Sequence, residues 1–163
     1  MPGYYMSNLD GVLNPSPQEP HAYTLALPMP PTTPIPLFDA ADDTGKFVKA
    51  MIMKRDEVLG KNVLAASAYY AAEEIPRTFA KVKPETGKGA QFIQIDKETF
   101  KGYLAEAGLP EFAQEELYEN MAFMHDFGYY GKKGLDDSLA ILDEQPTSLA
   151  DYLEKAPKWK GMH

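Results

Sequence analysis

The stretch TPIPLFDAADDTGKFVKAM, residues 33–51, decides the fold class. Residues 35–38 form a short apolar run that is typical of a strand. Asp42, Asp43 and Thr44 follow it, and these residue types accept the unpaired amide hydrogens of a first helical turn. The pattern therefore predicts a strand followed by a helix of about four turns. The predicted apolar face of this helix consists of Phe47, Val48, Met51 and Ile52.

Strands and helices alternate on both sides of this stretch. Residues 62–67 (NVLAAS) show no polar alternation, which is typical of a strand buried on both faces. Residues 72–82 are predicted to form a helix whose inward face carries Ile75, Phe79 and Val82. The other predicted elements are strands over residues 21–27 and 90–95, an extended surface connection over 28–36, a helix capped by Asp96 that buries Phe100, Tyr103, Leu104 and Ala107, helices over 111–127, 135–142 and 148–153, and a loose tail over 157–163.

This order of elements predicts an α/β fold with some parallel strand pairing. Three or four short strands are few for a sheet that is covered by helices on both faces. We therefore expect a partner sheet that the predicted elements do not supply. Strand edges left open in this way predict self-association of the chain. We find no internal repeat in the 163 residues.

Composition excludes several functional classes. The chain has 24 acidic and 16 basic side chains and a net charge of −8, which disfavours direct binding to nucleic acid. It contains no cysteine, and its histidines are scattered at positions 21, 125 and 163, so a zinc site is not expected. Prolines interrupt the uncharged stretch 20–38, which therefore cannot cross a membrane as a helix. Without a signal peptide in view, we expect an intracellular protein.

The most unusual residues are the first ten, MPGYYMSNLD. Gly3 permits a close approach of the backbone, and Tyr4 and Tyr5 beside it are suited to the wall of a pocket for a flat ligand. The alternative is that Tyr4, Tyr5 and Leu9 form the apolar face of a first helix that packs on the core, which is the more common role of aromatic residues.

Other motifs have simpler interpretations. The acids of segment 39–45 (DAADDTG) lack the spacing of a calcium loop and are better explained as helix caps. The glycines at 87–89 lack the pattern of a phosphate loop. The tyrosine pairs at 69–70 and 129–130 either frame a cleft or make an ordinary loop contact. His125 is expected to be a partly buried, hydrogen-bonded side chain. No catalytic triad, glycosidase carboxylate pair or HExxH motif is found in the sequence.

A series of motifs resembles one known family. They are PGYYMSNL at 2–9, TPIPLFDAADDTGKFVKAM at 33–51, GKNVLAAS at 60–67, AAEEIPRTFAKV at 71–82, TGKGAQFIQID at 86–96 and AQEELYENMAFMHDFGYYG at 113–131. In this order and at this spacing, the motifs resemble the carboxy-terminal half of the NmrA-like family, which consists of atypical members of the short-chain dehydrogenase/reductase superfamily.

The resemblance implies a Rossmann-like NAD(P)-binding fold of about twice this length, whose first half binds NADP. Gly3, Tyr4, Tyr5 and Met6 match the family segment that lines the pocket near the nicotinamide, and Asn8 matches a position of the substrate pocket. The helices at the carboxy terminus would form a small lobe over the cleft. Family members are known mainly as redox-sensing negative regulators that contact a transcription factor, which implies a protein partner and a cytoplasmic or nuclear location.

The chain also departs from the family pattern. It has no G-x-x-G-x-x-G motif after a strand, so residues 1–163 are predicted to be a truncated domain that does not bind NADP tightly alone. The leading hypothesis is an NADP-linked regulator that acts by binding. The alternatives are an NADPH-dependent reductase with Tyr4 and Tyr5 in its pocket, and an interaction module whose acidic helix, residues 111–126, docks on a basic partner.

Overall fold

The computed structural model describes residues 1–16 and 22–163 and contains both strands and helices. The strands are β1 (Tyr4–Tyr5), β2 (Leu13–Pro15), β3 (Tyr23–Leu27), β4 (Pro34–Phe38), β5 (Ala68–Ala71) and β6 (Gln91–Gln94). The helices are α1 (Leu9–Val12), α2 (Ala40–Met53), α3 (Arg55–Val58), α4 (Glu74–Val82), α5 (Lys97–Glu106), α6 (Glu111–Phe127), α7 (Asp136–Leu139) and α8 (Leu149–Lys155). Short 3₁₀ helices span Met6–Asn8 and Pro157–Trp159.

The strands form two three-stranded sheets, in the orders β1-β4-β5 and β2-β3-β6. In the first sheet β1 is parallel to β4, with Tyr4 beside Leu37, and β5 is antiparallel to β4. In the second sheet β3 is parallel to β6 and antiparallel to β2. The predicted α/β class with partial parallel pairing is confirmed, and the strands are few and short, as the sequence indicated.

Helix α2 begins earlier than predicted. Its cap is Asp39, whose Oδ1 accepts hydrogen bonds from the amides of Ala41 (3.1 Å) and Asp42 (3.3 Å). The capping predicted for the acids of segment 39–45 is thus confirmed at Asp39. Asp42 and Asp43 lie in the first turn and Thr44 just after it, so the prediction of these three as caps was wrong. Asp39 is the residue directly after β4, so the chain passes from strand to helix without a loop.

The apolar face predicted for α2 was also partly wrong. Phe47 is buried as predicted, and Ala50 is buried beside it. Val48 and Ile52 are 43% and 68% exposed. Because successive helical residues are about 100° apart, the core-facing stripe runs through Asp43, Phe47 and Ala50, while Val48 and Ile52 lie opposite.

Residues 62–67 do not form the predicted regular strand. They pair with the first residues of the chain through one isolated parallel bridge, between Pro2 and Ala65. The amide of Gly3 donates to the Ala65 carbonyl (2.9 Å), and the amide of Ala65 donates to the Met1 carbonyl (2.8 Å). Residues 63–66 are nevertheless buried. The composition of this segment therefore predicted its burial correctly, but the prediction of a regular strand was wrong.

The tail predicted to be loose is part of the core. Trp159 is fully buried, and its ring lies 5.0 Å from that of Phe79 and 5.8 Å from that of Tyr23. The Nζ of Lys158 donates to the carbonyl oxygens of Asp10 and Leu13. The tail therefore joins β3, α4 and the region around α1, which local sequence patterns could not indicate.

Smaller differences concern exposure. Tyr103 and Ala107, predicted to be buried, are exposed, because only Phe100 of α5 is fully in the core. In the segment predicted as a surface connection, Met29 and Thr33 are buried. The strand predicted from residue 21 is observed as β3, and residue 21 itself lies outside the described residues.

Two predictions about helix ends are confirmed, since α6 has the predicted bounds, Glu111–Phe127, and Asp96 caps α5. The helix predicted over 148–153 is observed as α8 at Leu149–Lys155, and Ser148 is its cap, whose side chain accepts a hydrogen bond from the Asp151 amide. These ends depend on residues that are close in sequence, so local patterns identify them.

Candidate functional site

The candidate site begins at Gly3, where the first sheet starts. A Cβ atom on this residue would lie 2.5 Å from the Pro36 carbonyl oxygen and 3.2 Å from the Ala66 Cβ. No side chain fits in this space without movement of the backbone. The close approach predicted for this glycine is therefore present, and it is made to neighbouring chain segments that support the residues after it.

Tyr4 is half-buried, and its side chain packs against the main core. Burial raises the pKa of Tyr4 to about 12, while a hydrogen bond with the exposed side chain of Asn8 acts in the opposite direction and the nearby Tyr129 adds to the rise. The Tyr4 hydroxyl therefore stays protonated at neutral pH. Tyr4 and Asn8, which the sequence predicted as separate parts of the site, are brought together.

Tyr5 and Met6 have different positions relative to solvent. Tyr5 is 42% exposed, and its ring lies 6.1 Å from that of Phe38. Met6 is fully buried in the core cluster that also contains Leu9 and Leu37. Tyr5 therefore presents aromatic surface to solvent, whereas Met6 supports the segment from behind. The binding roles predicted for Gly3, Tyr4, Tyr5 and Met6 stay predictions.

Three tyrosines from later in the chain pack together beside this segment. The rings of Tyr129 and Tyr130 are 5.0 Å apart, and the rings of Tyr69 and Tyr130 are 6.5 Å apart. The Tyr130 hydroxyl donates to the Met1 carbonyl oxygen at 3.0 Å. We call Tyr4, Tyr5, Tyr69, Tyr129 and Tyr130 the tyrosine cluster.

Tyr69, Tyr129 and Tyr130 thus pack together, whereas Tyr70 packs against the main core and its hydroxyl accepts a hydrogen bond from the Leu149 amide. The cleft that one interpretation of the two tyrosine pairs proposed stays a prediction. The loop after α6 makes the packing of the three tyrosines possible, since Gly128, Gly131 and Lys132 have positive φ angles of 78°, 65° and 62°. Such angles turn the chain sharply, so Tyr129 and Tyr130 are directed back toward the first sheet. The Tyr69 hydroxyl holds the loop by donating to the Lys133 carbonyl (2.7 Å).

The hydroxyls of Tyr4, Tyr69, Tyr129 and Tyr130 share one electrostatic property. Burial raises the pKa of Tyr69, of Tyr129 and of Tyr130, and neighbouring phenols add to the rise for the last two. Neutral phenols with high pKa values serve as hydrogen-bond donors and as apolar ring surface, and are poor general bases at neutral pH. Tyr4, Tyr69, Tyr129 and Tyr130 therefore contribute protonated hydroxyls and ring surface, and none of these four is activated for proton abstraction.

Other titratable side chains have structural roles. His125, predicted to be hydrogen-bonded, has its Nδ1 3.2 Å from the Thr33 Oγ1, and its side chain is 47% exposed. Asp43 is fully buried and accepts hydrogen bonds from the amide and hydroxyl of Thr147. Within residues 1–16 and 22–163, no group of three His, Cys, Asp or Glu side chains could hold a metal ion. No helix in the same ranges is long and apolar enough to cross a membrane.

Comparison with known proteins identifies the family. The sequence profile of the NmrA-like family matches residues 1–160. The chain belongs to the NmrA-like family. Outside this profile match, no curated protein has a sequence that matches the chain.

Solved structures agree with membership of the NmrA-like family at the level of the fold. NmrA, a negative transcriptional regulator solved with NADP, superposes with a TM-score of 0.70 at 12% identity, and its complex with NAD gives 0.69 at 11%. A nucleoside-diphosphate-sugar epimerase from Staphylococcus aureus gives 0.67 at 22%. The alignments cover 93–95% of this chain and 50% of each of these structures. The chain thus spans half the length of the structures it matches.

The sequence of this NmrA-like chain did not predict the contact by which Tyr130 completes the tyrosine cluster. Tyr130 contacts the start of the chain from 129 residues away, through its hydrogen bond to Met1. The GYYGKKG sequence at 128–134 was a usable signal, because glycines on both sides of an aromatic pair favour a sharp turn that presents the rings. The contact partner could not be predicted from the sequence, since it depends on packing between segments that are 129 residues apart.

Proposed function

We propose that this chain supplies the aromatic wall and the helical lobe of an NADP-linked regulatory protein that acts by binding. The observation that carries the proposal is the tyrosine cluster, in which the Pro-Gly-aromatic segment of the family is joined by Tyr69, Tyr129 and Tyr130. A flat nicotinamide ring is the kind of group that such a surface accepts. The match to NmrA structures solved with NAD and NADP supports this choice of ligand.

Binding is favoured over turnover by the state of the tyrosines. A tyrosine that acts as a general base needs a pKa near the operating pH. Burial instead raises the pKa of Tyr4 to about 12 and also raises that of Tyr130. Both phenols are protonated at neutral pH, but the Tyr130 hydroxyl already donates to the Met1 carbonyl oxygen. The Tyr4 hydroxyl is therefore the donor of the two that would recognise a carbonyl or carboxamide oxygen of the ligand.

The dinucleotide phosphates need a partner outside these residues. The sequence has no glycine-rich turn between a strand and a helix, which is the feature that holds a pyrophosphate. We therefore expect calorimetry on the isolated chain to detect no NADP binding tighter than about 1 mM. Micromolar or tighter binding would contradict this division of roles.

The role of the cluster is tested when the other half is supplied. Joining the first half of the NmrA structure solved with NADP to Met1 gives a chimera of full family length. We expect Tyr5→Ser in this chimera to weaken NADP binding by about tenfold, through loss of exposed ring surface. Ile52→Ser, which also removes an exposed apolar side chain, is the matched control and leaves affinity unchanged. Equal affinity of the two variants would contradict the proposed site.

The regulatory part of the proposal concerns protein partners in the cytoplasm or nucleus. A capture experiment with the chimera, run in parallel with NADP and with NADPH, should retain a transcription factor in one redox state more than in the other. Equal capture in both states would contradict redox sensing while leaving cofactor binding intact.

The second candidate is an NADPH-dependent reductase. It is favoured by the structural likeness to an epimerase, which is an enzyme, and by the exposed ring of Tyr5. Consumption of NADPH by the chimera with small carbonyl compounds, lost in Tyr5→Ser, would support it. No consumption above the rate without protein would support the binding role instead.

A further inference from the structure

The outer face of α6 carries an apolar stripe that nothing in the described residues covers. Phe112, Phe123 and Phe127 are 74%, 54% and 60% exposed. The helix already has a core-facing side, on which Met121 and Met124 are buried. A helix that buries one apolar side needs no phenylalanines on the other for its stability, so these three rings call for another explanation.

The three rings share one side of the helix. At about 100° per residue, Phe112, Phe123 and Phe127 lie within about 60° of each other around the axis. The rings of Phe123 and Phe127 contact each other, with centroids 5.2 Å apart. At about 1.5 Å per residue, the stripe extends for about 22 Å, or four turns.

Acidic side chains border this stripe. Glu116, Glu119 and Asp126 are exposed on the same side. Within residues 1–16 and 22–163, neither glutamate forms an ion pair, and Asp126 has only the imidazole of His125 at 4.0 Å. Glu115 differs, because it faces α5 and pairs with two lysines there. We define Phe112, Glu116, Glu119, Phe123, Asp126 and Phe127 as the outer face of α6.

We propose that the outer face of α6 binds a basic amphipathic helix of a partner protein. The proposal rests on the proposed regulatory function, for which it names the docking surface and the chemistry of the partner. Apolar side chains of the partner would cover the phenylalanines, and lysines or arginines would neutralise the three carboxylates. The length of the stripe matches a partner helix of about four turns.

Charge repulsion also disfavours a second copy of this chain as the molecule that binds the outer face of α6. Two outer faces packed together would bring Glu116, Glu119 and Asp126 against the same acids, and like charges in such an interface are repulsive. The whole chain carries a net charge of −8, which adds to this repulsion. A basic helix would instead be attracted to these carboxylates.

The test uses the full 163-residue chain and a synthetic helical peptide of leucine and lysine, about 14 residues long, with apolar residues at helical spacing. A scrambled peptide of the same composition is the control for charge alone. Calorimetry should show binding of the amphipathic peptide that weakens between about 50 and 500 mM salt. The scrambled peptide should bind at least about tenfold more weakly.

Matched variants locate the binding surface. Phe123→Ser with Phe127→Ser should weaken peptide binding by about tenfold or more, while Ile52→Ser should leave it unchanged. Glu116→Gln with Glu119→Gln should weaken binding and reduce its salt dependence. Asp56→Asn with Glu57→Gln changes the net charge by the same amount on α3 and should have no effect.

Three outcomes would overturn the proposal. One is equal binding of the amphipathic and scrambled peptides. Another is wild-type affinity in the Phe123→Ser, Phe127→Ser double variant. The third is self-association of the wild-type chain that this double variant abolishes in sedimentation experiments, since the face would then pair with a second copy. None of these measurements involves NADP, so their failure is distinct from failure of the proposed cofactor role.

Discussion

At the scale of single residues, Gly3 is the most tightly enclosed position of the candidate site. A Cβ atom there would lie 2.5 Å from the Pro36 carbonyl oxygen. We expect Gly3→Ala to lower the free energy of unfolding by about 1–3 kcal/mol, because the backbone must move to admit the methyl group. Urea unfolding measures this change.

The matched control is Gly45, which lies in the interior of α2, where an added Cβ would have no neighbouring atom within 4 Å. Gly45→Ala should raise the free energy of unfolding by about 0.5–1 kcal/mol, because alanine loses less backbone entropy in a helix. If Gly3→Ala were as stable as Gly45→Ala, the tight contact at Gly3 would be contradicted.

The buried tyrosines make stability depend on pH in the alkaline range. Burial raises the pKa of Tyr4 and of Tyr152 to about 12, and it also raises that of Tyr130. The folded state thus holds these protons more tightly than the unfolded state does. Their contribution to stability is complete below about pH 10 and is lost as pH rises through the folded pKa values.

We therefore expect the free energy of unfolding to fall between about pH 10 and 12. Tyr130→Phe should show a shallower fall, because it removes one of the groups that must ionise. Urea unfolding at several pH values gives the slope of the unfolding free energy against pH for wild type and variant. Because the lysines titrate in both proteins, the difference between the two slopes excludes their effect. An identical slope in wild type and variant would contradict the role of Tyr130.

At the scale of elements, a buried carboxylate joins α2 to the segment before α8. Asp43 accepts hydrogen bonds from the Thr147 amide (2.9 Å) and hydroxyl (3.0 Å), and from the ammonium of Lys46 (2.9 Å). Asp43→Ala should cost about 2–4 kcal/mol in urea unfolding, because it leaves buried donors unsatisfied. Asp42→Ala removes a neighbouring exposed carboxylate paired with Lys155 and should cost at most about 1 kcal/mol. Similar losses in the two variants would contradict this distinction.

Elements with strong local signals were predictable from the sequence. Helix α6 has the predicted bounds because its apolar residues recur at helical spacing over 17 residues between Pro110 and Gly128. Asp96 caps α5 as predicted, since its Oδ1 accepts from the Thr99 amide at 2.7 Å. Periodicity and capping rules identify such features because each depends on side chains within a few turns of one another.

Elements fixed by distant contacts were not predictable. Residues 62–67 have the composition of a buried strand, but their backbone pairs at a single bridge with Pro2. The tyrosine cluster has the same origin, because the Tyr130 hydroxyl donates to the Met1 carbonyl oxygen, 129 residues away along the chain. Local patterns indicated the correct burial for Ala65 and its neighbours, and long-range packing decided the regularity and the partners.

At the scale of the whole molecule, the main core connects the second sheet with the helices and the tail. It includes Leu25 and Leu27 from β3, Ile75 and Phe79 from α4, and Trp159. The first sheet reaches the same core through residues 35 and 37 of β4. The site and the tail are therefore parts of one packed unit, so a change at the tail should affect the stability of the whole.

Substitution of Trp159 tests whether the tail and the rest of the molecule form one packed unit. Its fully buried ring packs on Tyr23 and Phe79, and the adjacent Lys158 bonds the backbone near α1. Trp159→Ala should lower the free energy of unfolding by about 3–5 kcal/mol, because it opens a large cavity between sheet and helix. Trp159→Phe, which keeps most of the ring contact, should cost about half as much. Thermal unfolding followed by the tyrosine signals should give one transition, and its midpoint should be lower in both variants than in wild type. A wild-type midpoint in Trp159→Ala would mean that the tail is not part of the core.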